Sequence, residues 1–363
     1  MKKAKFLLLV FSLMSIICFG QEDTIRFKTT YTPLPNISYS PDTRLVLGAL
    51  LLVQFKPGQA GPETRASNAL LSTAFSFNEQ SSVEADYTII FPHERWFWKG
   101  YASYQKWPES FWGIGPETLE EDEVKVEYQK IIFRQKFLQQ WKSNLFAGPY
   151  LQYTNMFNVA YFLNEDEEIK APAVTGAEGG ANLGLGASFI WDKRNSIMTP
   201  TTNHYLEFST LFFSTNWFGD FNFQSYLLDA RKYYDFTSGG KNVLAFHARI
   251  EHTAGEVPFR ELAMLGGQEI MRGYMKGRYR DRTGAQVQTE FRRILTGRFG
   301  VVAFGALGVV GPGFDELQTE YIKWTAGGGL RYNINKANPT FIRLDYGVGK
   351  DTGGFYVTLG EAF

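Results

Sequence analysis

From residue 43 to the end of the chain, apolar and polar residues alternate with a period of two, interrupted at intervals by clusters of Gly, Pro, Asn and Asp. A period of two marks β-strands that show one face to an apolar medium and the other to a polar one. Fifteen such runs stand out, at 43–54, 67–78, 81–91, 95–106, 123–138, 143–156, 179–191, 203–214, 219–234, 241–253, 284–295, 298–310, 320–334, 338–349 and 353–363. Their lengths suit the roughly 9 to 11 tilted residues that cross a bilayer better than the roughly 5 or 6 of an ordinary sandwich strand. In 179–191, for example, Leu183, Leu185, Ala187, Phe189 and Trp191 share one face, with Asn182, Gly184, Gly186 and Ser188 on the other. Parity slips after Tyr128, which predicts a β-bulge there. No segment sustains a helical period, and none approaches the apolar length of a membrane helix.

The pattern therefore predicts an all-β fold, a single transmembrane antiparallel β-barrel occupying 43–363. Bacterial single-chain barrels close with an even strand number, so one strand is missing from the fifteen. The long connections 107–122, 157–178, 254–283 and 311–319 all fall on one side, the side that such barrels turn outward. That phase puts the missing strand ahead of residue 43, within 22–40, despite Pro33, Pro35 and Pro41. Sixteen strands is the expectation and fourteen the alternative, with 21–42 serving as the first strand or as a short periplasmic segment. Trp96, Trp98, Tyr101, Tyr104 and Trp107 are candidates for an interfacial girdle.

Composition agrees with a barrel: 16% of the residues are aromatic and 36 are glycine. Lys2, Lys3 and Lys5 precede an apolar stretch over 6–19 and the small Gly20, the layout of a secretory signal peptide spanning 1–20 and cleaved near Gly20. The only cysteine, Cys18, lies inside it, so disulfides and thiolate metal sites are not expected in the mature chain. Removal of three lysines leaves that chain mildly acidic, which offers nothing for nucleic acid to bind.

The stretch 266–282, GGQEIMRGYMKGRYRDR, breaks the pattern: it is glycine-rich and places Arg272, Lys276, Arg278, Arg280 and Arg282 close together. It sits in a connection longer than the roughly 12 to 15 residues beyond which structureless loops are uncommon and usually functional. So many cations need a wet, acid-containing environment, and the lumen would supply one. On the following strand, Gln286, Gln288, Glu290 and Arg292 share a face, and near the end Arg343 and Asp345 do. If the apolar faces meet lipid, these residues point inward and Arg272 can fold onto them. The plainer reading is that they line a wet pore.

At these residues the chain resembles the BamA/TamA superfamily, also called the bacterial surface antigen family. The resemblance rests on Met271-Arg272-Gly273-Tyr274, the Gln288-Thr289-Glu290-Phe291-Arg292 strand and the glycine-rich strand over 302–308. Two further patches fit: Trp191-Asp192-Lys193-Arg194-Asn195 with Pro200, and 35–48 with Tyr39-Ser40-Pro41-Asp42. It implies a sixteen-stranded outer-membrane barrel whose long loop, 254–283 here, folds into the lumen. Arg272, Gly273 and Tyr274 would lock it there, with Glu290, Arg292, Arg343 and Asp345 as luminal partners. It further implies insertion, assembly or translocation of protein or lipid. Phe304-Gly305-Ala306-Leu307-Gly308 lacks the aspartate that often receives the loop arginine, which makes Glu290 the expected acceptor, and Asn203 stands where the family's turn has glycine. The twenty or so residues after the signal do not house a POTRA module, so a periplasmic partner supplying that function is one expectation.

Phe355, Val357, Leu359, Glu361 and Phe363 alternate at the end of the chain and resemble the signal by which the barrel assembly machinery recognises its clients. The first and last strands would meet in a seam weakened by Gly353, Gly354 and Gly360. Expected surroundings are outer-membrane lipid and lipopolysaccharide, with the acidic run Glu165-Asp166-Glu167-Glu168 in an external loop. His93, His204, His247 and His252 show no metal-ligand spacing, and no Gly-x-Ser-x-Gly elbow is present, so neither cofactor, metal nor enzymatic activity is expected. The alternatives to an assembly role are a passive porin-like channel and a barrel subunit of a larger envelope complex.

Overall fold

A computed structural model describes residues 28–40, 44–58, 60–61, 63–77, 79–163, 167–335 and 339–363. The proposed signal peptide, Pro41, Asp42, Glu165 and Asp166 lie outside the described residues. Sixteen long strands form one antiparallel barrel. In chain order they are β1 (Thr30–Ser40), β2 (Arg44–Phe55), β3 (Ser67–Ser76), β4 (Ser81–Ile90), β5 (Trp96–Lys106), β6 (Val124–Lys142), β7 (Leu145–Phe162) and β8 (Gly180–Asp192). The second half comprises β9 (Asn203–Phe213), β10 (Phe223–Asp235), β11 (Asn242–Gly255), β12 (Thr283–Thr296), β13 (Phe299–Gly311), β14 (Lys323–Asn335), β15 (Thr340–Gly349) and β16 (Thr352–Leu359). The sixteenth strand is thus β1, inside 22–40, Pro33 and Pro35 included. A first strand tolerates them because one of its edges makes little of a ladder.

Each strand pairs with its sequence neighbours, as period-two alternation requires when one face is buried and register is thereby fixed. The slip after Tyr128 is a register shift between Glu127 and Gln129 where β6 meets β7. Closure is uneven. β1 pairs with β2 along its whole length, from Thr30 opposite Gln54 to Ser40 opposite Arg44. Against β16 it registers a single pair among the described residues, Tyr39 with Val357.

Outward faces carry the apolar residues, including Phe75, Trp98, Tyr104, Phe208, Phe291 and Tyr346, all exposed. Tyr101 departs from the expected girdle: it sits on the opposite parity of β5 and donates to Glu84 Oε2 at 2.9 Å inside the barrel.

The lumen is not uniformly polar. Beneath the long loops Phe111, Tyr128, Tyr161, Phe213, Phe223 and Phe259 form an apolar cluster, and a second one at the opposite rim gathers Ile90, Phe97, Leu138, Phe146, Ile190 and Tyr205. That second rim carries the Asp192-Lys193-Arg194 turn. Asp192 Oδ1 accepts from the backbone N–H of Arg194 at 3.1 Å and from its Nε at 2.9 Å, while Oδ2 takes Arg65 Nη1 at 2.9 Å from the β2–β3 connection. Arg65 also reaches Glu94 at 2.9 Å. Asn203, in the place of the family's glycine, has φ 71°, a left-handed conformation that asparagine tolerates better than most side chains.

Candidate functional site: the inward loop and its ion network

The 254–283 connection leaves β11, enters the barrel and returns to β12. Inside, Ala263–Leu265 pairs with Tyr279–Asp281 in a two-stranded ribbon, Met264 opposite Arg280. The ribbon braces on the wall through Gln286 Nε2, which donates to the Met264 carbonyl at 3.0 Å, and Gln288 Nε2, which donates to the Glu269 carbonyl at 3.0 Å. Pairing the loop backbone in this way meets the rule that buried N–H and C=O groups find partners.

At the tip, Tyr274 N–H donates to the Met271 carbonyl at 3.2 Å. The turn needs left-handed φ at Met271 (57°) and Gly273 (123°); the second value lies where a side chain is strongly disfavoured. Gly347 on β15 matters for a different reason, close approach: a Cβ there would stand 2.3 Å from the Arg272 carbonyl oxygen. Two backbones touch at this point.

Arg272 is fully enclosed, and its guanidinium forks between two carboxylates, Nη2 to Glu290 on β12 and Nη1 to Asp345 on β15. Its Cζ lies 3.6 Å from the centroid of the Phe304 ring on β13. Around this centre, Arg292 Nε donates to Glu290 at 2.7 Å, and Arg331 on β14 donates to Asp345 at 2.6 Å and to Glu361 at 2.8 Å. Arg343 is turned to the loop, donating to the Gln268 carbonyl at 2.9 Å, and also donates to Thr358 Oγ1. Isolated ions could not persist in so dry a position, whereas shared bidentate pairs can. The last strand completes the cradle: Tyr356 OH accepts from Gly273 N–H at 2.9 Å, Thr352 Oγ1 donates to the Gly273 carbonyl at 2.8 Å, and Tyr274 OH accepts from Lys350 N–H at 3.2 Å.

The structure thus brings Arg272, Gly273, Tyr274, Glu290, Arg292, Arg343 and Asp345 together on β12, β15 and the loop tip. Phe304, Arg331, Tyr356 and Glu361 belong with them; Arg331 and Tyr356 were not singled out by sequence, and Glu361 was noted only as a member of the terminal row, although it accepts from Arg331. A signal existed for Arg331, a charge on the inward parity of β14, between Gly329 and Asn333. None pointed to Phe304 as a ring for Arg272 to stack on; the position where an aspartate was expected is held by Ala306, which is buried.

Two expectations need correction. The loop cations do not all find a wet site: Arg280 is fully enclosed, 5.0 Å from the Phe111 ring and 5.6 Å from that of Phe259, with Glu109 3.7 Å away. The connection 107–122 closes over it, Gly115 N–H donating to the Arg280 carbonyl at 2.8 Å, while Arg278 donates to Thr118 at 3.0 Å. Secondly, Phe355, Val357 and Leu359 share one parity of β16, with Phe355 openly exposed, but Phe363 does not extend their row. The strand ends at Leu359, Gly360 takes φ 87°, and the chain turns inward. Phe363 is then buried 4.9 Å from the His247 ring, with its carbonyl accepting from Arg292 Nη2 at 2.9 Å.

On the β2–β5 side the loop leaves a cavity of about 300 Å³ bordered by Leu52, Asp86, Lys99, Arg231 and Glu269 among others. Enclosure opposes the charge of Glu269, but Arg231, Arg249, His247 and Lys276 outweigh it and hold its carboxyl below the usual range. His247 faces inward against Asp229 while His252, on the other parity, meets Thr283 Oγ1 at 2.9 Å, so the two histidines do not converge. Among the described residues no cluster suited to a metal ion is present.

A sixteen-stranded barrel with an arginine-tipped loop ionically seated in its lumen defines an outer-membrane plugged barrel. The Omp85 superfamily domain matches residues 142–363, more than half of the chain, and the chain belongs to that superfamily. None of the curated proteins matches it. Among solved structures, BamA from Haemophilus ducreyi lacking POTRA domains 1–3 aligns with a TM-score of 0.58 at 12% identity, over 92% of this chain and 70% of that one. CdiB from Acinetobacter baumannii aligns with 0.56 at 13% identity, over 92% and 60%, and CdiB from Escherichia coli with 0.56 at 11% identity, over 91% and 62%. The chain thus spans about 60% of the length of the CdiB proteins it resembles. At these identities the likeness is one of fold. Members of the superfamily are transporters and insertases of the Gram-negative outer membrane that work with partner proteins or the barrel assembly machinery, and membership supports a general role in outer-membrane insertion or translocation.

Proposed function

We propose that the chain moves or inserts protein or lipid at the outer membrane, with loop 254–283 as a seated plug and Arg272-Gly273-Tyr274 as its lock. The observation that carries this reading is the fully enclosed Arg272 forked between Glu290 and Asp345. A channel that only needs narrowing has no use for an ion network spanning β12 to β16 and the loop tip. In this reading Glu290 and Asp345 receive the lock, Arg292 and Arg343 keep those acids and the loop in register, and the weakly paired β1–β16 seam is where the wall yields. Phe355, Val357 and Leu359 serve as the outward assembly signal. Partners are outer-membrane lipid and lipopolysaccharide, the assembly machinery, and a periplasmic protein that delivers substrate.

Planar-bilayer recording tests the plug. The wild-type barrel gives small, flickering openings, and Arg272→Ala shifts it toward longer and larger ones. A steady, large conductance in the wild type, unchanged in Arg272→Ala, contradicts the plug and favours the passive channel.

A further inference from the structure

The two rims of the barrel differ in charge. On the long-loop rim Glu117, Glu120, Glu121, Asp122, Glu123, Asp315, Glu316 and Glu320 are exposed. On the opposite rim, at the lipid-facing ends of β8, β9 and β10, the side chains are basic and aromatic. Lys193 N–H donates to the His204 carbonyl at 2.9 Å, which extends the β8–β9 ladder by one residue, and His204 stands directly opposite Lys232. Lys193, His204 and Lys232 therefore form a lateral row on the outer wall, with inward-facing Asp192, Tyr205, Arg231 and Tyr233 on the other parity.

Like charges placed side by side on a sheet repel each other. Here the row is also held in place. Lys193 Nζ lies 5.4 Å from the Trp191 ring, Lys232 Nζ lies 5.1 Å from the Tyr234 ring, and Trp191 meets the His204 ring edge-on at 4.3 Å. The rings keep the lysine stems against the wall, with the ammonium groups flanking the imidazole. Among the described residues neither lysine is paired with a carboxylate. The carboxylates close by in the chain are taken: Asp235 accepts from the amides of Thr237, Gly239 and Gly240, and Asp192 is turned inward to Arg194 and Arg65. Toward the middle of the wall, Phe189 and Phe208 are exposed, and Phe246 lies directly opposite Lys232 on β11.

We propose that Lys193, His204 and Lys232 form a headgroup site for an anionic phospholipid. Its phosphate rests between the two ammonium groups, with Phe246 beside Lys232 at the headgroup row, and its acyl chains lie along Phe189 and Phe208. The site is on the outer wall and shares no residue with the loop lock, so it stands or falls apart from the plug.

Native mass spectrometry of the full chain in detergent tests this, with phosphatidylglycerol and phosphatidylethanolamine added in equal amounts. Juxtamembrane lysines attract anionic lipid strongly enough for two of them to give a preference of roughly tenfold or more. Wild type should retain phosphatidylglycerol by that margin. Lys193→Gln with Lys232→Gln should bring the two lipids to parity, whereas Lys106→Gln with Lys170→Gln, the same charge change on the other rim, should leave the preference intact. Folding of each variant is read from its heat-modifiable mobility. Parity in the wild type, an undiminished preference in the Lys193/Lys232 variant, or an equal loss in the Lys106/Lys170 variant overturns the site. Inorganic phosphate displacing the lipid as well as phosphatidylglycerol itself does would overturn the lipid as occupant.

Discussion

Replacing Arg272 by alanine is the perturbation that bears most on the lock. Arg272 has no exposed surface, and its guanidinium serves Glu290, Asp345 and the Phe304 ring at once. Removing one partner of a buried ion pair costs about 3 to 5 kcal/mol, and a desolvated cation–π contact adds about 1 kcal/mol or more. Against that, Glu290 keeps Arg292 at 2.7 Å and Asp345 keeps Arg331 at 2.6 Å, so neither acid is left bare. The lower end applies, about 3 kcal/mol, which multiplies the population of barrels with the tip unseated on the order of a hundredfold. The wall itself survives, because the β12–β13 ladder, from Thr283 with Gly311 to Thr296 with Phe299, does not involve the tip. The assay is labelling of an Ile270→Cys reporter, buried in the seated tip, by a membrane-impermeant maleimide on whole cells. If opening is fast relative to labelling, the rate rises with the open population, on the order of a hundredfold in the Arg272→Ala background, with heat-modifiable mobility retained. Arg272→Lys falls between, since one ammonium cannot fork to both acids. Equal labelling rates with and without Arg272 would refute the lock.

Further outcomes follow from neighbouring contacts. Gly347→Ala drives a methyl to within 2.3 Å of the Arg272 carbonyl, so it should unseat the tip and raise Ile270→Cys labelling while Arg272 itself is unchanged. Asp192→Asn strips the shared acid from Arg65 and Arg194; it should cost about 3 kcal/mol and lower the temperature at which the folded band converts to the unfolded one. Phe363→Ala empties the pocket beside His247 and Tyr233; by core-truncation precedent it costs about 3 kcal/mol and lowers the same temperature, with the outward Phe355 row untouched.

Most of the wall was legible in the sequence because each strand separates two solvents, and such a boundary writes itself as a period of two. Even the slip at Tyr128 could be read from parity alone. The missing strand β1 could be placed only by counting, since Pro33 and Pro35 obscure its pattern. Inward parity marked Glu290, Arg292, Arg343 and Asp345 as luminal, but parity says nothing about which of them the loop tip meets, so Glu290 and Asp345 could be named as partners of Arg272 only through the family resemblance. The apolar clusters around Phe259 and Phe97 were hidden for the opposite reason: a plugged lumen is partly a protein core, and its inward residues no longer look polar. Phe363 was misplaced because alternation was carried through Gly360, where a left-handed φ ends the strand and reverses which side the following residues face.

The central claim, a loop tip seated inside the barrel, is tested most directly by a short bis-methanethiosulfonate crosslinker bridging Glu269→Cys and Gln288→Cys in whole outer membranes, with Cys18 replaced by serine. The Gln288 side chain donates to the Glu269 carbonyl at 3.0 Å, and neither residue belongs to the Arg272 network. Efficient bridging, with none between Glu269→Cys and the outward-facing Phe291→Cys, is the predicted result. Failure to bridge 269 to 288 in a barrel with folded mobility would place the loop outside the lumen and contradict the account.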